Sequence, residues 1–252
     1  MDRRRSNVEV KPSLVFYIRQ LTRRNKSAKS HQEDRQWFYR AGERYLPNDT
    51  IHDVAISADG RTIYTATEGG LGRLDLVTTT LLEKAETIER VLNQRHRRMG
   101  LVSSCKLDDP HQPHLGGEIS DKDNDGLWTS YHVAAMSLAY EVTKDKAAKE
   151  SARKSMHAIY MLQDASGTPG LVARSVHTIA DAERLGKDED PQWRLTPDGS
   201  MYWKSDTSSD EIDGHYLAFY TYWEHIAKHD PEERQICVQH LRKLTDYIVD
   251  NG

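Results

Sequence analysis

Residues 202–216 read YWKSDTSSDEIDGHY and place carboxylates, hydroxyls, a histidine and aromatic rings around one predicted helix start. Ser208 followed three residues later by Glu211 matches a capping box, which predicts a helix over residues 209–223. Its first turn carries three acids: Asp210, Glu211 and Asp213. Because the helix dipole favours negative charge there, the acids either only stabilise the helix start or, with His215, form half of a polar active site.

An earlier copy of this pattern indicates an internal repeat. Residues 125–132, DGLWTSYH, also set an acid and a glycine before an aromatic-rich helix, roughly 85 to 88 residues before their counterparts. Each copy continues as helix, tight turn, helix and glycine. The predicted helix pairs are 127–142 with 146–164, and 209–223 with 231–249. A partial third copy is the predicted helix at 81–98, capped by threonines at 78–80 and expected to bury one face.

Helical hairpins joined by longer excursions are typical of an α/α toroid. In such a ring the first helix of each pair is the inner one, buried nearly all round, and the second is an amphipathic outer helix. The acidic helix starts are then expected to share one mouth of the ring. The predicted fold class is mainly α: an incomplete α/α toroid of helical hairpins with a small antiparallel β meander near the N-terminus.

Three parts are predicted along the chain. Residues 1–40 form a basic leader that is poorly ordered or does not start at a natural domain boundary. Residues 41–77 form the β meander, and residues 78–252 form the helical-hairpin domain. The meander has three strands divided by Asp-Gly and Gly-Gly turns: 51–56, 62–67 and 71–76.

The charge and hydrophobicity of the chain limit the partners that we expect for it. The chain has 252 residues, a net charge of −4 and 29% charged residues, and no apolar run approaches the roughly 20 residues of a membrane span. We therefore expect a soluble protein with neither a membrane nor a nucleic acid as partner. The chain shows no signal peptide, so it is cytoplasmic as written, with a truncated secreted protein as the alternative. Cys105 and Cys237 lack metal-site spacing and are interpreted as free thiols, with a disulfide left open.

The acid-rich run DKDNDG at residues 121–126 copies the first half of an EF-hand calcium loop. Position twelve of that loop is His132 instead of a bidentate Glu, so an EF-hand is not predicted. The prediction is no cofactor, with one alternative, a non-EF calcium site formed by Asp121, Asp123 and Asp125. His111 and His114 lack the spacing of helical zinc ligands and are interpreted as loop histidines, so no metal ligands are predicted.

Aromatic side chains are concentrated between the two helix pairs. Residues 193–203 predict a β-hairpin with a Pro-Asp-Gly turn, which places Trp193, Tyr202 and Trp203 beside the acidic helix start. Trp and Tyr stack on pyranose faces while carboxylates bind sugar hydroxyls, so a saccharide site is one interpretation. The other is that the rings pin a long loop to the domain.

Several motifs carry a resemblance to a known family. DNDGLWT at 123–129, TPGLVARS at 168–175 and TPDGSMYWKSDTSSDEIDGHY at 196–216 resemble the helical domain that follows propeller blades of the two-component-regulator type in bacterial and fungal proteins. Residues 41–77 resemble one such blade. The general layout is also similar to six-hairpin glycosidases such as unsaturated glucuronyl hydrolases.

The toroid resemblance implies a carbohydrate-active, glycoside hydrolase-like protein. Asp125 would act as the general acid, while Asp210 or Asp213 would orient water. Arg174, Lys204 and His215 would hold a substrate carboxylate if the saccharide is acidic. The full predicted substrate-binding set is Trp128, Arg174, Trp203, Lys204, Glu211, His215 and Tyr216. Asp125→Asn or Asp210→Asn is expected to abolish turnover with a nearly unchanged melting temperature.

Three alternatives stay open at this stage. A polysaccharide lyase would use His215 or Tyr216 as base, with Arg174 neutralising a uronate. A non-catalytic sensor would bind a saccharide through the same aromatic rings. Two hairpins and part of a third are fewer than a ring of six, so the chain is alternatively part of a longer protein whose further helices complete the site.

Overall fold

The computed structural model describes residues 17–19, 37–109, 112, 116–120 and 123–251. Most of the predicted leader lies outside these residues, as do His111, His114 and Asp121. The fold is mainly α with small antiparallel sheets and a β meander on the N-terminal side. The described residues form two compact units, one within 1–84 and 109–114, the other within 85–108 and 115–252.

The first unit contains the predicted meander. Its strands are β1 (Tyr17–Arg19), β2 (Trp37–Tyr39), β3 (Ile51–Ile56), β4 (Thr62–Thr67) and β5 (Gly70–Asp75). β3, β4 and β5 form an antiparallel sheet in chain order, which confirms the predicted meander. β1 pairs with β2 within the residues predicted as a leader. Gly60 turns the chain between β3 and β4 at a φ of 70°, a conformation that glycine adopts without steric cost. Leu46 and Ile63 supply buried apolar side chains.

Helix α1 (Leu81–Arg95) begins at the predicted threonine cap. The amide of Thr80 donates to Glu83 Oε2 at 2.7 Å, and the amide of Glu83 donates to Thr80 Oγ1 at 3.1 Å. These reciprocal bonds satisfy two amide groups that the helix leaves unpaired at its start. The prediction that one face of this helix is buried is wrong, because none of the α1 residues is buried.

The same helix ends before the position that periodicity predicts. Arg97–Arg98 (β6) pair as a short strand with Leu101–Val102 (β7) instead of continuing the helix to Arg98. Met99 and Gly100 form the turn, with φ angles of 52° and 87°. Arg98 therefore leaves the helix and reaches the interior of the second unit.

The remaining elements belong to the second unit. They are β8 (Ser104–Leu107), β9 (Gly117–Ser120), α2 (Asp125–Thr143), α3 (Lys146–Asp164), β10 (Val176–Thr178), α4 (Ile179–Arg184), β11 (Trp193–Leu195), β12 (Met201–Lys204), α5 (Ser209–His225), a 3₁₀ turn (Ala227–His229) and α6 (Pro231–Asn251). β8 pairs with β9, and β10, β12 and β11 form an antiparallel sheet in that order. The α2–α3 and α5–α6 hairpins and the β11–β12 hairpin confirm the predicted elements.

The first helices of the two hairpins lie side by side and parallel. At their starts, a Cβ atom built on Gly126 would lie 2.2 Å from Glu211 Oε2. At their ends, Glu141 Oε2 lies 3.5 Å from His225 Nδ1. The helices approach closely because each has a glycine at the contact: a Cβ on Gly214 of α5 would lie 2.8 Å from Leu127 Cδ1 of α2. Corresponding positions of the two repeats therefore contact one another at both ends of α2 and α5.

The second helices are parallel as well. His157 Nε2 on α3 lies 2.9 Å from Glu233 Oε1 on α6, and at the end of α3 Asp164 Oδ2 lies 3.1 Å from His240 Nε2. The core of this unit is apolar, and its largest buried side chains are Leu101, Met156, Ile159, Leu162, Phe219, Tyr222, Ile226 and Leu244. The duplicated sequence thus folds as two hairpins in matching orientation.

Helix α2 is not buried nearly all round, which corrects the expectation. Its buried side is rich in small and polar residues, among them Thr129, Ser130 and Ser137. Its other side exposes large apolar residues: Trp128, Tyr131, Leu138 and Val142. The small residues are inside because α5 packs so closely against them. Among the helices of the described residues, none combines the length and apolar character that a membrane span requires.

Substituting Gly170 with Ala is expected to lower the free energy of unfolding by about 2–3 kcal/mol. Gly170 has a φ of 82°, and a Cβ there would lie 2.2 Å from the Lys243 carbonyl oxygen. The matched control is Gly199→Ala, since Gly199 has a φ of 69° and no atom within 4 Å of the added Cβ. The control should lose only about 1 kcal/mol, the cost of the left-handed backbone. Equal losses in urea unfolding would contradict the packing argument.

Candidate functional site

The structure brings the two acidic helix starts together inside the second unit. Asp125 is the first residue of α2, Glu211 is the third residue of α5, and both are fully buried. Gly126 makes the approach possible, because a Cβ at this position would lie 2.2 Å from Glu211 Oε2 and 3.0 Å from His215 Nε2. Three residues predicted from sequence, Asp125, Glu211 and His215, therefore form one buried polar cluster.

Asp125 is held by a cation and a hydroxyl. Arg98 Nη2 donates to Asp125 Oδ2 at 2.8 Å, and Ser175 Oγ donates to the same oxygen at 2.6 Å. Arg98 Nη2 also donates to Ser175 Oγ at 2.9 Å, and its Nη1 donates to the Val176 carbonyl. With side-chain exposures of 10% for Arg98 and 0% for Asp125, this is a buried ion pair. The low dielectric of the interior makes each charge depend on the other.

Glu211 does not close a capping box, which corrects the sequence prediction. Ser208 makes no side-chain bond to an α5 amide, and its hydroxyl bonds the Asp210 carboxylate instead. The Glu211 side chain points inward, into the space that Gly126 leaves open. Among the described residues, no side chain donates a hydrogen bond to either of its carboxyl oxygens. A cap needs a carboxylate at the surface, and the packing of α5 on α2 removes this one from water.

Burial raises the pKa of Glu211 to about 8, and the negative charges of Asp125 and Asp210 act in the same direction. The Arg174 guanidinium and the Leu127 amide lower this pKa but do not offset the loss of hydration. Glu211 is therefore a neutral carboxylic acid at neutral pH. It lies beside Asp125, whose Oδ2 accepts a hydrogen bond from the Arg98 guanidinium.

His215 is also fully buried, and burial lowers its pKa to about 4. Its Nδ1 lies 3.5 Å from Gln163 Nε2, which is at the outer limit of a hydrogen bond. Within the described part of the chain its Nε2 has no hydrogen-bond partner. His215 is therefore a neutral imidazole at neutral pH, bordering the same space as Glu211.

The other two predicted acids lie elsewhere. Asp210 is exposed, and the Ser208 hydroxyl lowers the pKa of its carboxyl. Asp213 is exposed as well, one turn along α5. Neither carboxylate joins the buried cluster, because helical spacing directs positions 210 and 213 away from the α2-facing side that holds Glu211.

The predicted substrate-binding cations are engaged within the protein. Arg174 Nε donates to the Asp123 carbonyl at 2.7 Å, its Nη1 to the Asp206 carbonyl at 3.1 Å and its Nη2 to Asn124 Oδ1 at 3.2 Å. Lys204 forms an ion pair with the Asp123 carboxylate. These contacts tie the loop before α2 to the loop before α5. Both cations thus position the two helix starts.

The aromatic residues of the predicted substrate-binding set do not lie together at one site. Trp203 is buried beneath Arg194, whose Cζ lies 5.7 Å from the ring centroid. The Tyr216 hydroxyl lies 3.1 Å from Thr245 Oγ1, in the contact between α5 and α6. Trp128 stacks on Tyr131 at the edge of a separate apolar groove of about 560 Å³ between α1 and α2. Trp203 and Tyr216 therefore make contacts within the protein at two different places.

The calcium alternative gains no support from the two described acids. Asp123 is paired with Lys204, and Asp125 with Arg98. Asp121 lies outside the described residues. In the described ranges, no group of three or more His, Cys, Asp or Glu side chains is arranged to hold a metal ion.

Sequence reasoning missed Arg98 and Ser175. The helix predicted over residues 81–98 places Arg98 at its C-terminal end, where the helix dipole favours a cation. Gly100 is a turn signal in the sequence. In the structure Met99 and Gly100 have left-handed backbone conformations and lie directly before β7. Ser175 closes the motif TPGLVARS, and its partner at position 125 is visible only in three dimensions.

A second polar network has the residue order of a nucleophile, a base and an acid. Ser155 Oγ lies 3.1 Å from His132 Nδ1, and His132 Nε2 lies 2.9 Å from Glu89 Oε2. Ser155 is fully buried and also receives a hydrogen bond from Arg97. The hydrogen bond from His132 lowers the pKa of Glu89 to about 2, so this acid is ionised at neutral pH. The network joins α1, α2 and α3.

The Asp125, Glu211 and His215 cluster is therefore the candidate site. It combines a neutral acid, a compensated carboxylate and a neutral imidazole at the meeting point of two repeats. Comparisons of the chain with models of protein families, with curated protein sequences and with solved structures find no match.

Proposed function

We propose that this chain is a carbohydrate-active, glycoside hydrolase-like protein whose acid pair is Asp125 and Glu211. One observation carries the proposal: Glu211 is a buried acid with a pKa of about 8 beside a carboxylate that a guanidinium holds. Glycosidases need one carboxyl protonated and one ionised at the same pH. Burial favours the protonated form of Glu211, and the Arg98 guanidinium favours the ionised form of Asp125.

In this mechanism Glu211 donates its proton to the glycosidic oxygen as the bond to the anomeric carbon breaks. Asp125 stabilises the developing positive charge or orients water. Glu211 thereby takes the role that the sequence prediction gave to Asp125. Asp210 and Asp213 drop out of the acid pair, because both carboxylates face solvent.

We place the two hairpins in an incomplete α/α toroid, with residues 41–77 as a blade of the regulator type. Support comes from the parallel, side-by-side hairpins and from the apolar side chains that α2 and α5 expose, including Trp128, Leu138 and Tyr220. Further hairpins of the same kind would cover such residues. In that arrangement the helix starts at Asp125 and Glu211 lie at one mouth of the ring.

A non-catalytic saccharide-binding module is the second candidate. It is favoured by the complete burial of Glu211 and His215, since a catalytic acid must reach the substrate. The lyase alternative has less support, because Arg174 is bonded to backbone carbonyls and Tyr216 to Thr245. It would be recognised by a product that absorbs in the ultraviolet.

Glu211→Gln is expected to reduce hydrolysis by at least about 100-fold, the contribution of a general acid. Release of reducing sugar from a panel of neutral and acidic oligosaccharides is measured for both proteins. Asp210→Asn is the matched control, because it removes an adjacent but exposed carboxylate and should retain activity. A wild-type protein that hydrolyses nothing in the panel, or a fully active Glu211→Gln variant, would contradict the proposal.

A further inference from the structure

A polar cavity of about 510 Å³ lies next to Arg98, within the second unit. Its volume is in the range of small-molecule binding sites. The cavity is formed by residues of β6, β9, β10 and α4 together with Asp108. The polar side chains that line it are Arg98, Asp108, Glu118, His177, Asp181 and Arg184.

The charges of this lining exclude a strong preference for anions. Two guanidinium groups face three carboxylates, and the positive charge of Arg98 is already compensated by Asp125. Arg184 is shared between Glu118 and Asp181, with an Arg184 Nη2 to Asp181 Oδ1 distance of 3.2 Å. Negative charge is therefore in excess, so an acidic ligand would be repelled.

The lining contains hydrogen-bond donors on Arg98 and Arg184 and acceptors on the carboxylates of Asp108, Glu118 and Asp181. A neutral ligand rich in hydroxyl groups matches such a surface, because each hydroxyl donates one hydrogen bond and accepts others. The Glu118 and Asp181 carboxylates both pair with Arg184 and are 54% and 38% exposed, so a ligand in the cavity can reach them. The hydrogen-bonding groups of the cavity therefore match those of a polyhydroxylated molecule.

Arg98 supplies an independent observation. Its side chain is 90% buried, yet its Nε–H has no acceptor among the described residues. A buried donor without a partner is uncommon in folded proteins and frequently marks a position that a ligand or water completes. Arg98 also bonds Asp125, so it links the cavity to the acid cluster.

His177 forms a fixed wall of the cavity. Its ring packs on Trp193 with a centroid distance of 4.9 Å, and its Nδ1 lies 3.3 Å from Arg98 Nη1. The ring is 99% buried, so its orientation is set by packing. Rigid walls favour binding because fewer side chains must be ordered.

We infer that this cavity binds a neutral saccharide the size of a mono- or disaccharide, with Glu118 and Asp181 accepting its hydroxyl hydrogens. The inference rests on the proposed carbohydrate function and specifies a neutral rather than an acidic sugar. It assigns recognition to residues outside the predicted substrate-binding set. The ligand would lie against Arg98, beside the acid pair.

The test is titration calorimetry with neutral hexoses and disaccharides, and with the corresponding uronic acids. Replacing Asp181 with Asn and Glu118 with Gln together should weaken binding of the neutral sugar at least about 10-fold. Asp246→Asn is the control, because it removes an exposed acid on α6 that does not line the cavity. Thermal unfolding of each variant confirms that it is folded.

Three results would overturn the inference: no sugar in the set binds, the uronic acids bind more tightly than the neutral sugars, or the double variant binds like the control. Its failure is distinguishable from that of the proposed hydrolysis. A neutral sugar that binds the cavity without being cleaved supports the cavity and removes the hydrolase. Cleavage that depends on Glu211 but not on Asp181 and Glu118 supports the hydrolase and removes the inference about the cavity.

Discussion

Arg98→Met is expected to lower the free energy of unfolding by about 3–5 kcal/mol, the usual effect of removing one partner from a buried ion pair. Arg98 donates to Asp125 Oδ2 at 2.8 Å, and the Asp125 side chain is fully buried. Methionine keeps much of the side-chain volume but leaves the carboxylate buried without its counter-charge. Urea unfolding followed by circular dichroism measures the loss.

Two variants make this result interpretable. Lys144→Met removes a surface cation whose pair with Glu141 has side-chain exposures of 62% and 48%, so it should lose less than about 1 kcal/mol. Arg98→Met combined with Asp125→Asn should be more stable than Arg98→Met alone, because the uncompensated charge is gone. A loss at Arg98 no larger than at Lys144 would show that the ion pair does not stabilise the fold.

The same ion pair changes one expectation from sequence. Asp125→Asn was expected to abolish turnover with a nearly unchanged melting temperature. The structure instead predicts a destabilised protein, because the substitution leaves the Arg98 guanidinium buried without a counter-charge. Loss of activity in that variant would not separate catalysis from stability. Glu211→Gln is the more informative substitution, since no described side chain hydrogen-bonds either Glu211 carboxyl oxygen.

Local patterns were sufficient to predict most elements of the fold. The strands at 51–56 and 62–67 match β3 and β4, because alternating side chains and glycine turns are encoded within a few residues. Helix α3 has the predicted bounds 146–164, with Asp145 accepting a hydrogen bond from the Ala147 amide. The repeat also predicted that helix starts 125 and 209 would meet.

Side-chain directions at that meeting point were not predictable from local patterns. Glu211 has the spacing of a capping residue, and it turns inward only because Gly126 leaves space for it from another helix. Arg98 fits a helix end equally well, and it leaves the helix because β7 pairs with it. Trp128 was expected inside but is 42% exposed, since the small residues of α2 face α5. Each outcome depends on residues that are distant in sequence.

Stability is expected to fall by about 2 kcal/mol between about pH 6.5 and pH 8, and Glu211 is the cause. Its pKa is about 8 in the folded protein, above the ordinary glutamate value of 4.5. Between these values the folded state binds more protons than the unfolded state, so raising the pH destabilises the fold by about 1.4 kcal/mol per unit. Glu211 is fully buried, so solvent screening does not reduce this effect.

His215 acts with the opposite sign over a lower range. Its pKa falls to about 4 from an ordinary value of 6.5, so between these values the unfolded state binds more protons. Its contribution is complete above about pH 6.5 and is lost as the pH falls toward 4. The two slopes therefore cancel between about pH 4.5 and 6.5, and the Glu211 slope remains alone above that range.

Glu211→Gln isolates the carboxyl contribution, because Gln has a similar shape and does not titrate. Relative to the wild type, its free energy of unfolding should rise by about 3.5 kcal/mol from pH 5 to pH 8, because the difference in bound protons is incomplete near each pKa. Asp210→Asn is the control and should follow the wild-type curve above pH 6.5, since Asp210 is exposed and its lowered pKa lies well below this range. The measurement is urea unfolding at about pH 5, 6.5 and 8. Parallel curves for the wild type and Glu211→Gln would mean that Glu211 is ionised in the folded protein, and the acid pair would then lose its proton donor.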